Sequence, residues 1–270
     1  MPVSTSTRQR GILEPDAAPF RLAIHPPSPE LAAHVERHWV VCWDLRGREP
    51  YLTEILPHPS VNLVIEPGGS AVHGVTTGRW SRLLEGRGEG IGTKFRPGAF
   101  APFTRVPMAE LTNISAPLEE VLGPDAGGLE REVLSQEDDR DRIAVVQAFL
   151  RTRMPAPDPR LETVTRIVRS MLEVPPGTRL DQLSGRFGMS PRTMQRLFRR
   201  YVGVSPKWVL QRYRLHEAAE RIAAGEQDLA RLGVDLGYFD QAHFIKDFKN
   251  LVGRSPAEYA DCARAAQMAA

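Results

Sequence analysis

Hydrophobic positions follow two different rhythms along the chain. In the first half they gather in short runs rich in Val, Ile, Trp, Phe and Thr: RHWVVCWDL (37–45), SVNLVIEP (60–67), SAVHGVTT (70–77) and GIGTKFRP (90–97), separated by PHPS, PGGS and EGRGEG. Short β-forming runs bounded by Gly and Pro predict a small antiparallel sheet, sandwich or barrel. The period then changes. In DDRDRIAVVQAFLRTRM (138–154), Ile143, Val146, Phe149 and Leu150 share one helical face behind acids suited to a helix N-terminus. MPAPDP (154–159) carries three alternating prolines, which neither continue a helix nor donate to a sheet, and it marks a boundary. Beyond it, helices are predicted from LETVTRIVRSML (161–172), stopped by PPG (175–177), to an Ala-rich tail expected to fray. The fold class expected is α+β. Residues 1–155 form a β-rich, barrel- or sandwich-like domain with a helical end, and residues 160–262 form an all-α domain.

The helical half repeats itself. FGMSPRTMQRLFRRYVGVSP (187–206) and GYFDQAHFIKDFKNLVGRSP (237–256) answer each other at an offset of fifty: Ser190 with Asp240, Phe198 with Phe248, Gly203 with Gly253, and Ser205-Pro206 with Ser255-Pro256. In the first unit, TRLDQLSGRF (178–187) predicts a helix begun by Thr178 and Asp181 in capping-box spacing, with Leu180, Leu183 and Phe187 inward. After a tight turn, Ser190 is an N-cap and Pro191 occupies the first helical position, where a missing N–H is harmless. Met194, Leu197, Phe198 and Tyr201 then recur on a buried face, leaving Arg192, Gln195, Arg196 and Arg199 outside. Helix, turn and basic helix make a helix-turn-helix, whose second helix can enter a major groove. The second unit uses LARLGVDLGY (229–238) as support and Asp240 as cap. Phe244, Phe248 and Leu251 face inward, and Gln241, Ala242, His243 and Lys246 outward. Recognition helices are thus expected over about 191–201 and 241–251. Between them Ser205 caps a longer helix ended by Gly225. At about 30 Å it approaches the roughly 34 Å of one duplex turn, a length suited to two successive grooves.

Charge sharpens this picture. The net charge of +2 says little, yet between Gly188 and His216 the bases are Arg192, Arg196, Arg199, Arg200, Lys207, Arg212 and Arg214, with no Asp or Glu. A one-signed helical stripe predicts a polyanion partner. Arg can grip guanine O6 and N7, and Gln can pair with adenine N6 and N7. Ser190, Thr193 and Arg200 suit phosphate, while His243 suits phosphate donation or local capping. Other chemistries are poorly supplied. Cys42 and Cys262 lie far apart without CxxC spacing, against a disulfide framework or a structural zinc site. GRGEG (86–90) has no following Lys-Ser/Thr and reads as a hairpin turn rather than a phosphate loop. Five of the seven histidines, His25, His34, His38, His58 and His73, fall in the first half, so a cupin-like metal site from His58, His73 and Glu54 is an alternative, although no tight ligand pair supports it. Residues 1–16 lack the apolar core of a signal peptide, and no apolar run reaches membrane-spanning length, so a cytoplasmic location without membrane contact is expected.

The long string LDQLSGRFGMSPRTMQRLFRRYVGVSP, the linker YRLHEAAERI, and LGVDLGYFDQAHFIKDFKNLVGRSPAEY resemble the DNA-binding domain of the AraC/XylS family of bacterial transcription regulators. The resemblance spans about residues 161–261 and implies two helix-turn-helix units joined by a long helix. Carried over by position, it implies base contacts from Arg192, Gln195, Arg196, Gln241, His243 and Lys246, and phosphate contacts from Ser190, Thr193, Arg199, Arg200 and Lys249. Gly233 departs from the small Ala usual in the family, at about 1 kcal/mol in a helix interior. PHPSVNLVIEP, IGTKFRPGAFAPF, and AELTN followed by PLEEVLG resemble the uncharacterised amino-terminal domain of some such regulators. The function implied is a one-component, sequence-specific transcriptional regulator. Its implied partners are double-stranded DNA, RNA polymerase, a small-molecule effector and a second copy in a homodimer. No catalytic residue, metal or cofactor is expected. Some DNA-repair methyltransferases fuse such a domain to a zinc-bound cysteine cluster, but Cys42 stands alone in the first half. The alternatives are an architectural DNA binder with little base preference and a metal-dependent cupin-like domain fused to a DNA-binding module.

Overall fold

A computed structural model describes residues 18–269; residues 1–16, on which the expectation of no signal peptide rests, lie outside the described residues. Eight strands come first: β1 (Phe20–His25), β2 (Val35–Asp44), β3 (Tyr51–Ile55), β4 (Asn62–Ile65), β5 (Ala71–His73), β6 (Trp80–Leu84), β7 (Arg87–Phe95) and β8 (Ser115–Pro117). Four helices accompany or follow them: α1 (Met108–Leu111), α2 (Leu118–Leu122), α3 (Leu129–Leu134) and α4 (Asp139–Arg151). The helical half contains α5 (Pro159–Met171), α6 (Leu180–Arg186), α7 (Pro191–Tyr201), α8 (Pro206–Ala223), α9 (Leu229–Asp235), α10 (Gln241–Val252) and α11 (Pro256–Ala269). Helix α11 continues through the Ala-rich residues that were expected to fray. No described helix is long and apolar enough to cross a membrane.

The strands form an antiparallel six-stranded sheet in the order β1-β2-β7-β4-β5-β8 and a separate β3-β6 ribbon, so the sheets are sandwich-like and unclosed. Alternation along the strands sorts the two faces. Val40, Leu63, Ile65, Val72, Ile91 and Phe95 pack with Leu129, Val133, Ile143, Val146 and Leu150, covering one face with α3 and α4. The other face meets the ribbon through Trp43, Leu45 and Leu84. Strand β7 supplies Gly88, Gly90 and Gly92 on this second face, where indole rings need the room. A Cβ at Gly92 would fall 1.9 Å from the Trp39 ring, and one at Gly88 2.2 Å from that of Trp43. Each Trp lies opposite its glycine in the β2-β7 register.

GRGEG is therefore not the expected hairpin turn. Only Gly86 turns, at φ +57°, whereas residues 87–90 already belong to β7, and β6 pairs with β3 rather than β7. SAVHGVTT is a strand only to His73, after which Gly74 and Thr77 bond to the loop at Ile114 and Asn113. The histidines and Glu54 of the cupin-like alternative are engaged separately. His73 meets Ser115 Oγ at 2.6 Å, the His58 and His216 rings lie tilted with centres 4.1 Å apart, and Glu54 pairs with Arg79 and Arg254. Among the described residues no cluster of three potential ligands occurs.

The proline-rich boundary marks a change of secondary structure, yet the two halves share packing. Val75 and Ala99 belong to the cluster formed by α5–α8, and Leu56 belongs to that of the second helical unit. Polar contacts also cross over. Arg212 Nη2 donates to Thr77 O at 2.6 Å, the His216 ring contacts Pro57 O at 3.2 Å, and Thr112 Oγ1 donates to Gly203 O at 3.1 Å. Asp158, inside the boundary segment, caps α5 through Arg160 N and accepts from the Tyr201 hydroxyl at 2.5 Å. The linker thereby ties α5 to the end of α7.

Candidate nucleic-acid interface

The two helices expected over about 191–201 and 241–251 form where periodicity placed them. In α7, Ser190 Oγ accepts from Thr193 N at 3.1 Å and Pro191 opens the helix. Met194, Phe198 and Tyr201 are buried, and Leu197 is half-buried against them. Arg192, Gln195, Arg196, Arg199 and Arg200 are exposed; among the described residues Arg192, Arg196 and Arg199 make no ion pair. In α10, Asp240 Oδ1 accepts from His243 N at 2.7 Å, and Phe244, Phe248 and Leu251 are buried. Gln241, Ala242, His243, Lys246 and Lys249 are exposed. His243 Nε2 also lies 3.3 Å from Asp247 Oδ2 one turn along, so its ring is partly held by its own helix. Asp247 in turn accepts from Gln211 Nε2 at 2.5 Å, locking α10 to α8.

Helix α8 runs for 18 residues, about 27 Å at 1.5 Å per residue, and Ser205 Oγ caps it through Trp208 N at 3.2 Å. Two members of the predicted basic stripe leave the surface here. Arg212 is only 3% exposed, lies 4.4 Å from the Trp208 ring centre and contacts the β-rich half; burial lowers its pKa to about 10, which leaves it charged at neutral pH. Arg214 is half-buried and donates to Thr178 O at 3.3 Å. The cationic surface is thus concentrated on α7. The start of α6 also differs from expectation. Arg179 is the N-cap residue and its N–H bonds Gln182 Oε1 at 2.9 Å, whereas Thr178 Oγ1 donates backwards to Pro175 O.

Backbone hydrogen bonds refine the duplication. Met189 N bonds Ser184 O, as Tyr238 N bonds Gly233 O; Gly188 N bonds Gly185 O, as Gly237 N bonds Val234 O. Through the supporting helices and Tyr238 the offset is therefore 49, and it becomes fifty only at the caps Ser190 and Asp240. Phe239 is the extra residue. The same alignment explains Gly233, which matches buried Ser184: a Cβ at Gly233 would lie 3.3 Å from the Phe244 ring, which stands where the first unit has Met194.

Residues 183–261 match a helix-turn-helix domain family. They form a helix-turn-helix domain. Within this domain α7 and α10 are the helices that follow the two tight turns, each capped and exposing cations. Residues 23–117 match a domain of unknown function (DUF6597), the region in which most of the amino-terminal resemblance falls. Over 80 residues the chain is 34% identical to an uncharacterised helix-turn-helix transcriptional regulator of Haemophilus influenzae, covering 30% of this chain and 27% of that protein. Over 151 residues it is 24% identical to the transcriptional regulator ArgR of Pseudomonas aeruginosa, covering 56% and 45%. The chain thus spans under half the length of these relatives. Among solved structures it is similar to the DNA-binding domain of AdpA in complex with a target DNA, at 25% identity, 40% of this chain, 96% of that chain and a TM-score of 0.34. ToxT from Vibrio cholerae O395 is similar at 11% identity, 90% and 97% coverage and a TM-score of 0.39.

Proposed function

We propose that this chain is a sequence-specific, DNA-binding transcriptional regulator in which α7 and α10 enter successive major grooves on one face of the duplex. The carrying observation is the pair of capped helices that each bury aromatic rings, α7 exposing Arg and Gln and α10 exposing Gln and Lys. In this reading Arg192, Gln195, Arg196, Gln241, His243 and Lys246 contact base edges. Ser190, Thr193, Arg199, Arg200 and Lys249 grip phosphate. Residues 1–155 are the regulatory domain and 160–262 the DNA-binding domain. Selection of random duplexes by the purified chain at near-physiological salt is expected to enrich two short blocks about one helical turn apart. Arg196→Ala should then lose about 1–3 kcal/mol of discrimination at one base pair. Enrichment of no sequence would favour the architectural alternative, and an unchanged preference in the variant would remove Arg196 from the base-reading set.

The regulatory input is a small, largely apolar molecule held between the six-stranded sheet and the β3-β6 ribbon. A cavity of about 210 Å³ lies there, lined by Trp39, Trp43, Trp80, Leu22, Ile55 and Leu84, with Lys94 and Arg82 at its polar side. Its size suits about one ring, since cavities near 150 Å³ accept benzene. Three of the chain's four tryptophans line it, so benzoate, as the probe, is expected to quench intrinsic fluorescence saturably. A purely linear, collisional response would count against this site.

A further inference from the structure

Phe239 is 97% exposed, although it lies between buried Tyr238 and the cap of α10. In the first unit a single residue, Met189, separates the turn glycine from the cap, and it packs against the core. In the second unit Tyr238 takes that inward place, contacting the Phe244 ring at 5.3 Å, and the extra residue is pushed out. An aromatic ring left almost wholly in water loses the transfer free energy that burial would supply. Its position says what could cover it. It sits at the N-terminal end of a recognition helix, the end that approaches base edges in a helix-turn-helix. Continuing along the outer side of that helix, Ala242 and Ile245 are exposed apolar residues, interleaved with Gln241, Lys246 and Lys249. The first recognition helix has Arg192, Gln195, Arg196 and Arg199 on its outer side. The two helices are built for different chemistry.

We infer that the second unit reads thymine methyl groups, with Phe239 as the principal apolar contact and Ala242 and Ile245 beside it. This rests on the regulator reading above and assigns the occupant of the surface to the duplex itself. The 5-methyl of thymine is an apolar group on the major-groove edge, and Phe and Ala side chains are suited to it. Lys249, farther along the helix, complements a phosphate near such a base.

The test uses the full chain and the duplexes enriched by it. The expected result is a second block containing thymine, in which replacing that thymine by deoxyuridine, a loss of one methyl, weakens wild-type binding about fourfold. That factor is about 0.8 kcal/mol per buried CH₂ group converted at 1.36 kcal/mol per decade. Phe239→Ala should bind the thymine and deoxyuridine duplexes nearly equally, Phe239→Leu should recover part of the difference, and both variants should melt with the wild type because the ring is exposed. Equal wild-type affinity for the two duplexes overturns the inference, as does a first block accompanied by no thymine-bearing second block. Loss of both blocks would instead overturn the regulator reading. An unchanged thymine preference in Phe239→Ala would also overturn the inference and would leave a protein partner as the occupant of the ring.

Discussion

Phe248→Ala is expected to cost about 3–5 kcal/mol of folding stability, the usual range for deleting a fully buried ring and leaving a cavity. The side chain is 0% exposed and sits between Phe244 and Tyr259, with ring centres 5.8 and 5.7 Å away. Its cluster joins Leu215, Ala218, Ala219 and Ile222 of α8 to Leu232 and Leu236 around α9, and it is distinct from the cluster that holds the first unit. The damage should therefore concentrate in the second unit. Hydrogen exchange is expected to speed up in α9–α11 more than in α6–α7, and selection by the variant should keep the first sequence block while losing the second. A urea-melt loss below about 1 kcal/mol would mean that the site collapses around the deletion instead of retaining a cavity.

The second large effect lies where the halves touch. Gly203 has φ +92°, and a Cβ there would be 2.5 Å from Met108 O and 2.8 Å from Thr112 Oγ1. Gly203→Ala combines a left-handed backbone, about 1–2 kcal/mol for an L-residue, with overpacking of about 1–3 kcal/mol. A total of about 2–5 kcal/mol is expected, accompanied by loss of the Thr112–Gly203 hydrogen bond. Gly225→Ala is the control. Gly225 has φ +100° but nothing within 4 Å of an added Cβ, so only the backbone component should appear. Thermal melts of both variants isolate the interface contribution as their difference. Equal losses would show that α1 moves aside freely and that the first helical unit is not braced by the β-rich half.

Much of the two helical units was legible in the sequence, and for local reasons. Ser190-Pro191, Ser205-Pro206 and Asp240 are helix starts because their side chains or rings satisfy or remove N–H groups within the first turn. Burial of Met194, Phe198, Phe244 and Phe248 follows from a 3.6-residue period. Arg212 defeats the same kind of reading: it stands in a run of bases, but the partner that buries it, Thr77, is 135 residues away. The ribbon strands were also hidden. YLTEI and WSRLL carry Glu54 and Arg82 among their apolar residues, and only pairing across 25 or more residues makes them β3 and β6. The alternating glycines of β7 suggested a turn because their role is to receive indole rings from the neighbouring strand.

By itself, then, the amino-acid sequence determined the two helical units, the caps of α7, α8 and α10, their buried faces and the basic character of α7, since each depends on spacing within about one or two helical turns. Tertiary structure alone decided which cations stay in water, how the β-rich half braces both units, where the tryptophan-lined cavity opens, and that one residue inserted into the second turn sends Phe239 outward. Those outcomes depend on surfaces contributed by distant segments, and burial, desolvation and steric exclusion arise only when such segments meet.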